Sequence, residues 1–276
     1  MNVSFQMRDL IHHGPWRRLI NTVPAQGSIH DDAPARELGF KGAFVPGSVV
    51  SSAAMPAVIE SFGPAWLEGG WFDFTFVSPV YVSEDVREEA CWHADSQWLE
   101  LRVVTRDDRL CMSGRAGVGD RLPWEPGLDG SHDAENTFPE LSLTFAFEPR
   151  EFVIRLSDVL PMLEGSGDAT PCYRETSPFG EPVAPPIRLM RLALDATRGY
   201  KLPIEGVKQP GMWAEHALAV KAPIRYDTPY TLCERVADKG RSGRTAYLVY
   251  EFRLIEPTGD DVAVGRHKVK WLATSS

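Results

Sequence analysis

The 276-residue chain is short of cysteine, of long apolar runs and of positive charge, and each shortage excludes something. Its four cysteines, Cys91, Cys111, Cys172 and Cys233, are scattered with no Cys-x-x-Cys pair, so they read as reduced, mostly buried thiols of a cytosolic protein. No run of 18 apolar residues occurs, and the opening residues, MNVSFQMRDLIHHGPW, hold no long apolar signal region. The expectation is a soluble cytoplasmic protein with no membrane partner. Lys and Arg number 29 against 38 Asp and Glu, and the resulting formal charge of −9 argues against nucleic acid or an anionic membrane. Ser51 and Ser52 lack a Gly-x-Ser-x-Gly elbow, which removes a hydrolase triad. His12-His13 has no second ligand cluster at metal spacing, so neither a metal nor any other cofactor is expected.

What is present is enough apolar material, 43% with 10% aromatic, for a full core in one large or two small domains. The informative stretch is 27–50, GSIHDDAPARELGFKGAFVPGSVV. A loop ends in Ile29-His30-Asp31-Asp32, and a short helix is expected over Ala33 to Leu38 with Asp32 as its N-cap and Gly39 as its stop. A Pro46-Gly47 loop then leads into the apolar run Val49 to Phe62, read as a buried helix that Pro56 kinks or enters in its first turn. Alternating segments follow as strands: Trp71 to Val77, Val86 to His93, Trp98 to Arg106 and Leu110 to Val118, the last two joined by the polar turn Arg106 to Arg109. Ahead of all this, Met7 to Ile11 and Trp16 to Thr22 are expected to be helical.

After a Gly-, Pro- and Asp-rich linker, 119–148, in which Leu141 to Phe147 reads as one strand, the pattern begins again. Gly167-Asp168-Ala169-Thr170-Pro171-Cys172-Tyr173 answers the His30 loop, Pro185-Pro186 answers Pro46-Gly47, and Pro223 answers Pro79 at a nearly constant offset. Ile187 to Ala196 is the second central helix. Thr231 to Ala237, Thr245 to Ile255 and Asp261 to Leu272 are strands, with Glu256 to Asp260 a hairpin turn. A repeat of this length implies two like halves, 1–118 and 149–276.

The order of loop, small helix, Pro-Gly loop, long helix and strands resembles the MaoC-like (R)-specific enoyl-CoA hydratases and acyl dehydratases, whose motif runs Gly-Asp-x-Asn-Pro-(Leu/Ile)-His-x-Asp. His30 falls on the motif histidine and Asp32 on its final acid, while Ala25 stands where the catalytic aspartate would be. The second copy keeps Asp168 but has Tyr173 for the histidine. The resemblance covers about 90% of the chain. It implies an α+β double hotdog: two curved antiparallel sheets, each wrapping a long central helix, related by a pseudo-twofold repeat. It also implies addition or removal of water on an enoyl or 3-hydroxyacyl thioester of coenzyme A or acyl carrier protein, by a monomer or homodimer.

Such chemistry needs a proton-transfer group and an oxyanion donor. The candidate catalytic residues are His30, Asp32 and Asp168; Asp32 also fits a purely structural cap, Asp168 a turn aspartate, and His30 a loop histidine bonded to backbone. The candidate substrate contacts are Pro46, Gly47, Ser48, Val49 and Tyr173, with the Gly47–Val49 backbone N–H groups as oxyanion donors. Because Pro185-Pro186 offers no N–H there, the first half is expected to carry the chemistry and the second to hold the acyl tail. The basic segment Asp238 to Arg244 reads as a solvated hairpin or a coenzyme phosphate contact. Two rivals stand beside the hydro-lyase: a silent acyl-thioester-binding subunit, and a hotdog thioesterase with Glu60 as its acid.

Overall fold

The computed structural model describes residues 11–22, 28–93, 97–120, 122–124, 137–143, 145–197 and 207–273. Eleven strands are β1 (Ile11–His13), β2 (Arg17–Arg18), β3 (Gly70–Phe76), β4 (Asp85–His93), β5 (Trp98–Thr105), β6 (Leu110–Val118), β7 (Arg150–Val153), β8 (Val207–Val220), β9 (Pro229–Ser242), β10 (Thr245–Ile255) and β11 (Asp261–Ala273). The helices are α1 (Asp32–Glu37), α2 (Gly47–Ser52), α3 (Met55–Phe62), α4 (Trp66–Gly69), α5 (Leu156–Ser166) and α6 (Arg188–Thr197).

All strands join one antiparallel sheet in the order β1-β4-β5-β6-β3-β8-β11-β10-β9-β7, with β2 also on β4. The order reads the same from both ends if β3 is matched with β8, β6 with β11, β5 with β10 and β4 with β9. The halves meet at β3 and β8, paired from Trp71↔Ala219 to Thr75↔Glu215. The repeat also extends to single bonds. Val45 N–H donates to the Val80 carbonyl at 2.8 Å, and Ala184 N–H donates to the Ile224 carbonyl at 2.7 Å. In each half the loop before the central helix is thereby tied to the loop after the innermost strand.

One apolar core draws residues from α2, α3, α5, α6 and the strands of both halves. Within it Trp66 stacks on Phe72 at 6.1 Å and Phe72 on Phe74 at 4.4 Å. The first central helix is two pieces. Ala53-Ala54 turns the chain between α2 and α3, and Pro56 sits in the first turn of α3, where its missing N–H costs no helical bond. Burying Met55 and Val58 completely contributes about 1.5–3 kcal/mol each.

Four expectations change. Trp16 to Thr22 is not helical: Arg17–Arg18 lies on β4, and the Trp16 ring is held between the Arg87 and Arg106 guanidiniums at 4.7 and 4.8 Å. Of Met7 to Ile11, residues 7–10 lie outside the described residues and Ile11 starts a strand. The described residues of Leu141 to Phe147, 141–143 and 145–147, form no strand beyond a single bridge of Ala146 with Arg235, although Phe147 N–H reaches the Glu234 carbonyl and Val236 N–H the Phe145 carbonyl. Asp238 and Lys239 are buried in β9, not solvated: Lys239 Nζ donates to the Phe138 carbonyl at 2.9 Å and Tyr247 OH to Asp238 at 3.2 Å, which leaves only Gly243-Arg244 as turn. Strand β8 was unforeseen because Pro210-Gly211 interrupts it; a Cβ on Gly211 would lie 2.6 Å from the Trp271 ring.

Candidate functional site

The loop before α1 aims His30 inward. His30 N–H donates to Ser28 Oγ at 3.2 Å, and Asn21 Nδ2 donates to the His30 carbonyl at 3.1 Å. The half-buried ring meets Phe44 edge-on at 5.8 Å, and its Nδ1 lies 2.7 Å from the Phe44 carbonyl oxygen. A carbonyl only accepts, so Nδ1 carries the proton and Nε2 the lone pair. Burial holds the imidazole below its usual 6.5; the Phe44 bond opposes this and the nearby Arg191 guanidinium adds to it. His30 is therefore neutral at pH 7, with a basic Nε2.

Asp32 does something else. Asp31, not Asp32, occupies the N-cap of α1, and its side chain makes no cap bond. The Asp32 side chain is 64% exposed, accepts from Ala43 N–H at 2.7 Å and lies 3.7 Å from Arg36. It fixes the loop between α1 and α2 from the solvent side.

The start of α2 is where the halves touch. Pro46 is its N-cap, and the Pro46 carbonyl accepts from Val49 N–H at 2.9 Å and Val50 N–H at 3.1 Å. Val49 N–H is thus committed, and the donors that helix geometry leaves without an intrahelical acceptor are those of Gly47 and Ser48. Glycine is required at 47, since a Cβ there would lie 2.8 Å from the Trp213 ring of β8 and 3.1 Å from Phe76. Ser48, nearly fully buried, lines a cavity of about 240 Å³ together with Thr22, Asp158, Met162, Arg188 and Arg191. The cavity lies between α2 of the first half and α5 and α6 of the second. His30 is not one of its walls; Arg191, which is, links the two electrostatically. Ser51 donates back to the Gly47 carbonyl at 2.6 Å, a helix back-bond.

The equivalent loop of the second half is closed. Asp168 is 0% exposed. Its Oδ1 accepts from Thr170 N–H at 3.0 Å, and its Oδ2 lies 3.5 Å from Ser52 Oγ, which in turn accepts from Ser166 Oγ at 3.0 Å. Burial pushes the carboxyl above its usual 3.8, against the Thr170 bonds. Tyr173, in a single 3₁₀ turn, is also fully buried, and its hydroxyl has no hydrogen-bond partner among the described residues. Burial, and then the Asp168 charge, push that phenol well above 10. Here α6 follows Pro185-Pro186, whose carbonyls accept from Arg188 and Leu189 N–H.

Glu60 is exposed on α3, and His13 lies 3.4 Å from Glu89. Among the described residues no three His, Cys, Asp or Glu side chains gather as a metal site. Arg188 and Arg191 escaped the sequence reading; the signal available was two arginines three residues apart at the start of α6.

No family model matches the sequence, and no curated protein matches it. Solved structures do match. A proposed MaoC domain protein dehydratase from Chloroflexus aurantiacus superposes with a TM-score of 0.66 at 11% identity, over 97% of this chain and 95% of its own. A conserved hypothetical protein from Mycobacterium tuberculosis, described as having a double hotdog fold, gives 0.67 at 10% identity over 97% and 96%. The chain is a double hotdog. A proposed oleoyl thioesterase from Lactobacillus plantarum shares the architecture at a TM-score of 0.55 and 7% identity, over 98% and 99%. The double hotdog thus serves proteins described by two different reactions, and the choice between them rests on side chains.

Proposed function

We propose that this double hotdog is a MaoC-like hydro-lyase that interconverts a 3-hydroxyacyl thioester with the enoyl thioester and water, using His30 as its single acid–base group. The observation that carries this is the Nδ1–H bond from His30 to the Phe44 carbonyl, which leaves a neutral ring with its Nε2 lone pair uncommitted to that bond. The likeness of fold to dehydratases supports the class of reaction.

In the dehydrating direction the thioester carbonyl accepts from Gly47 and Ser48 N–H, which stabilises negative charge on its oxygen. Nε2 takes the proton from Cα, the electron pair of that C–H bond becomes the Cα–Cβ double bond, and the Cβ–O bond breaks. Nε2 returns the proton to the departing hydroxyl, which leaves as water, and His30 is neutral again. Hydration is the reverse. Ala25 stands where a second acid would be and lies outside the described residues, so one group serves both steps. That demands a syn relation between the Cα hydrogen and the hydroxyl. Burial, with a smaller contribution from Arg191, keeps His30 unprotonated between turnovers.

The thioesterase alternative is less well supported, because Glu60 is exposed and away from the cavity walls. The silent-subunit reading is set against the neutral, oriented imidazole. The proposed substrate is carried by coenzyme A or acyl carrier protein, and the proposed working unit is a cytoplasmic monomer or homodimer. No described helix is long and apolar enough to cross a membrane. The test is a panel of enoyl- and 3-hydroxyacyl-CoAs, followed by double-bond absorbance and by free thiol in parallel. Loss of absorbance without thiol release is expected; thiol release alone would replace the hydro-lyase with a thioesterase.

A further inference from the structure

We propose that the core-facing side of the second-half sheet binds an uncharged oxygen on the acyl chain through His216, His267, Tyr250 and Glu234, so that the favoured substrate is a thioester whose chain carries a hydroxyl group well away from the thioester. The inference rests on the thioester reading above and adds the substrate class to it.

The four residues form a row across four adjacent strands. His216 on β8 pairs with His267 on β11, and His267 pairs with Tyr250 on β10. Glu234 on β9 pairs with Phe252, two residues along β10 from Tyr250. Residues opposite each other in a ladder share a face, and the core residue Phe252 stacks on His267 at 4.8 Å, so all four face the core. None is more than 7% exposed. In each, one polar atom has no hydrogen-bond partner among the described residues: Nε2 of both histidines, the Tyr250 hydroxyl and Glu234 Oε1. Buried polar groups are ordinarily paired, and four orphans in one line mark a place for a polar occupant.

The first half shows what the fold alone requires here. Phe72 precedes His216 by the same offset that separates Pro79 from Pro223. The ladder carries the match outward: Phe72 pairs with Ala116, Ala116 with Leu99, and Leu101, two residues from Leu99, with Ala90. Phe72, Ala116, Leu99 and Ala90 all lie in the apolar core. The same line is thus apolar in one half and polar in the other, so closing the sheet does not demand the polar row. In the second half the apolar core divides there. Phe252 belongs to the cluster that both halves share, whereas Val236, Leu248 and Val269 belong to a separate one.

The chemistry of the row narrows its occupant. Burial holds His216 well below 6.5, pushes His267 down to about 3 and raises Glu234 to about 9, with Arg150 opposing the last shift. At pH 7 the row is therefore uncharged. The two histidine Nδ1 atoms lie 2.7 Å apart, so one ring donates to the other, which leaves one Nε2 as an acceptor and the other as a donor. The Tyr250 hydroxyl and a protonated Glu234 each donate and accept. A hydroxyl group does both as well, whereas an alkyl chain would leave all four atoms unmatched. Trp213, three residues before His216 on β8, lies against Gly47 at the proposed carbonyl site. Three strand residues span roughly 10 Å, which puts the oxygen several carbons out along the chain.

The test uses saturated thioesters that a hydro-lyase cannot turn over. Decanoyl-CoA and monohydroxydecanoyl-CoAs, with the hydroxyl at the sixth, eighth or tenth carbon, are titrated into the full-length protein by calorimetry. The native chain should bind at least one hydroxylated ester about tenfold more tightly than decanoyl-CoA. In Tyr250→Phe and in Glu234→Met that ratio should fall below about threefold, while Glu234→Gln, which keeps an uncharged donor and acceptor, should retain it. Equal affinities in the native chain, which need no variant to interpret, leave the row to internal water; they overturn the inference and leave the thioester reading standing. A preference that survives both Tyr250→Phe and Glu234→Met places the hydroxyl elsewhere and also overturns it. If no thioester binds, the inference falls together with the reading beneath it.

Discussion

In the first half the motif loop presents His30, neutral and half-buried, next to a charged cavity; in the second the equivalent loop buries Asp168 completely and sets Tyr173 where a histidine would stand. The backbone is the same device twice, down to the paired bonds Val45 to Val80 and Ala184 to Ile224. The surroundings differ. One loop faces α6, with its arginines; the other faces α2, whose Ser52 reaches Asp168. One helix begins with Pro-Gly-Ser and offers two N–H donors; at the equivalent positions the other has Pro186, which offers none, and Ile187, which offers one. A repeat keeps what both halves need to close one sheet and one core, and leaves chemistry to whichever copy has solvent, charge and donors in reach.

The largest test of this contrast is His30→Ala, expected to lower turnover by about 10²-fold or more with little change in melting temperature. Asp168→Ala should change turnover by less than about threefold, and Asp32→Asn by less than that, since Asp32 is exposed and an Asn oxygen can still accept from Ala43 N–H. Steady-state rates on the best enoyl-CoA decide it. A large loss in Asp168→Ala with folded protein would reverse the assignment of the two halves.

The pH–rate profile sharpens the same point. In the proposed mechanism the neutral form of His30 is the active one, and its pKa lies below 6.5, so the rate should hold above that value and fall tenfold per unit once pH drops below the folded pKa. The acid limb should persist in Asp168→Asn. Stability must be followed alongside, because the second half, next to the seam, has an acid limit of its own. His216 on β8 and His267 on β11 face each other with Nδ1 atoms 2.7 Å apart. Burial holds His216 well below 6.5 and pushes His267 down to about 3. Groups with depressed folded pKa values stabilise the fold above 6.5 and lose that contribution as pH falls toward those values. Near-UV circular dichroism at each pH separates loss of fold from protonation of His30.

Much of this contrast was legible in the residues, and the rest was not for identifiable reasons. The strands from 98 to 118 and from 245 to 272 follow alternation and turn chemistry, which are local, so their places were readable. The two prolines before α6 announced a helix entry poorer in donors. Trp16 to Thr22 misled because Trp16 is held by Arg87 and Arg106, contacts some 70 to 90 residues away along the chain. Asp32 has the right residue type for a cap, but Ala43 N–H from the next loop captures it. Arg188 and Arg191 were passed over within the central helix, and only packing of α6 against the first half makes them cavity walls.

A third, medium-sized effect concerns stability alone. Asp168→Ala removes the acceptor for Thr170 N–H and the partner of Ser52 in a fully buried site. Leaving such groups unsatisfied costs about 1–3 kcal/mol, measurable as a lower urea midpoint with an unchanged slope. His30→Ala, at a half-buried loop position, should cost less. Equal costs would mean that the two loops are equally structural.

The smallest expected effect is also the most discriminating, because its sign differs between the loops. Asp168 has a raised folded pKa, so the folded chain binds this proton more tightly than the unfolded chain does. Its contribution is fully present below 3.8 and is lost as pH rises through the raised value. His30 has a lowered folded pKa, so its contribution is fully present above 6.5 and is lost as pH falls through the lowered value. Replacing each group by its amide removes only that tilt. Relative to the native chain, Asp168→Asn should therefore gain stability as pH rises, and His30→Gln should gain stability as pH falls. Urea unfolding of the three proteins from pH 4 to pH 8 gives the two difference curves, in which titration common to all three cancels. Opposite slopes are expected. A flat curve for Asp168→Asn would mean that its carboxyl titrates as in the unfolded chain, and the second loop would then be as open to water as the first.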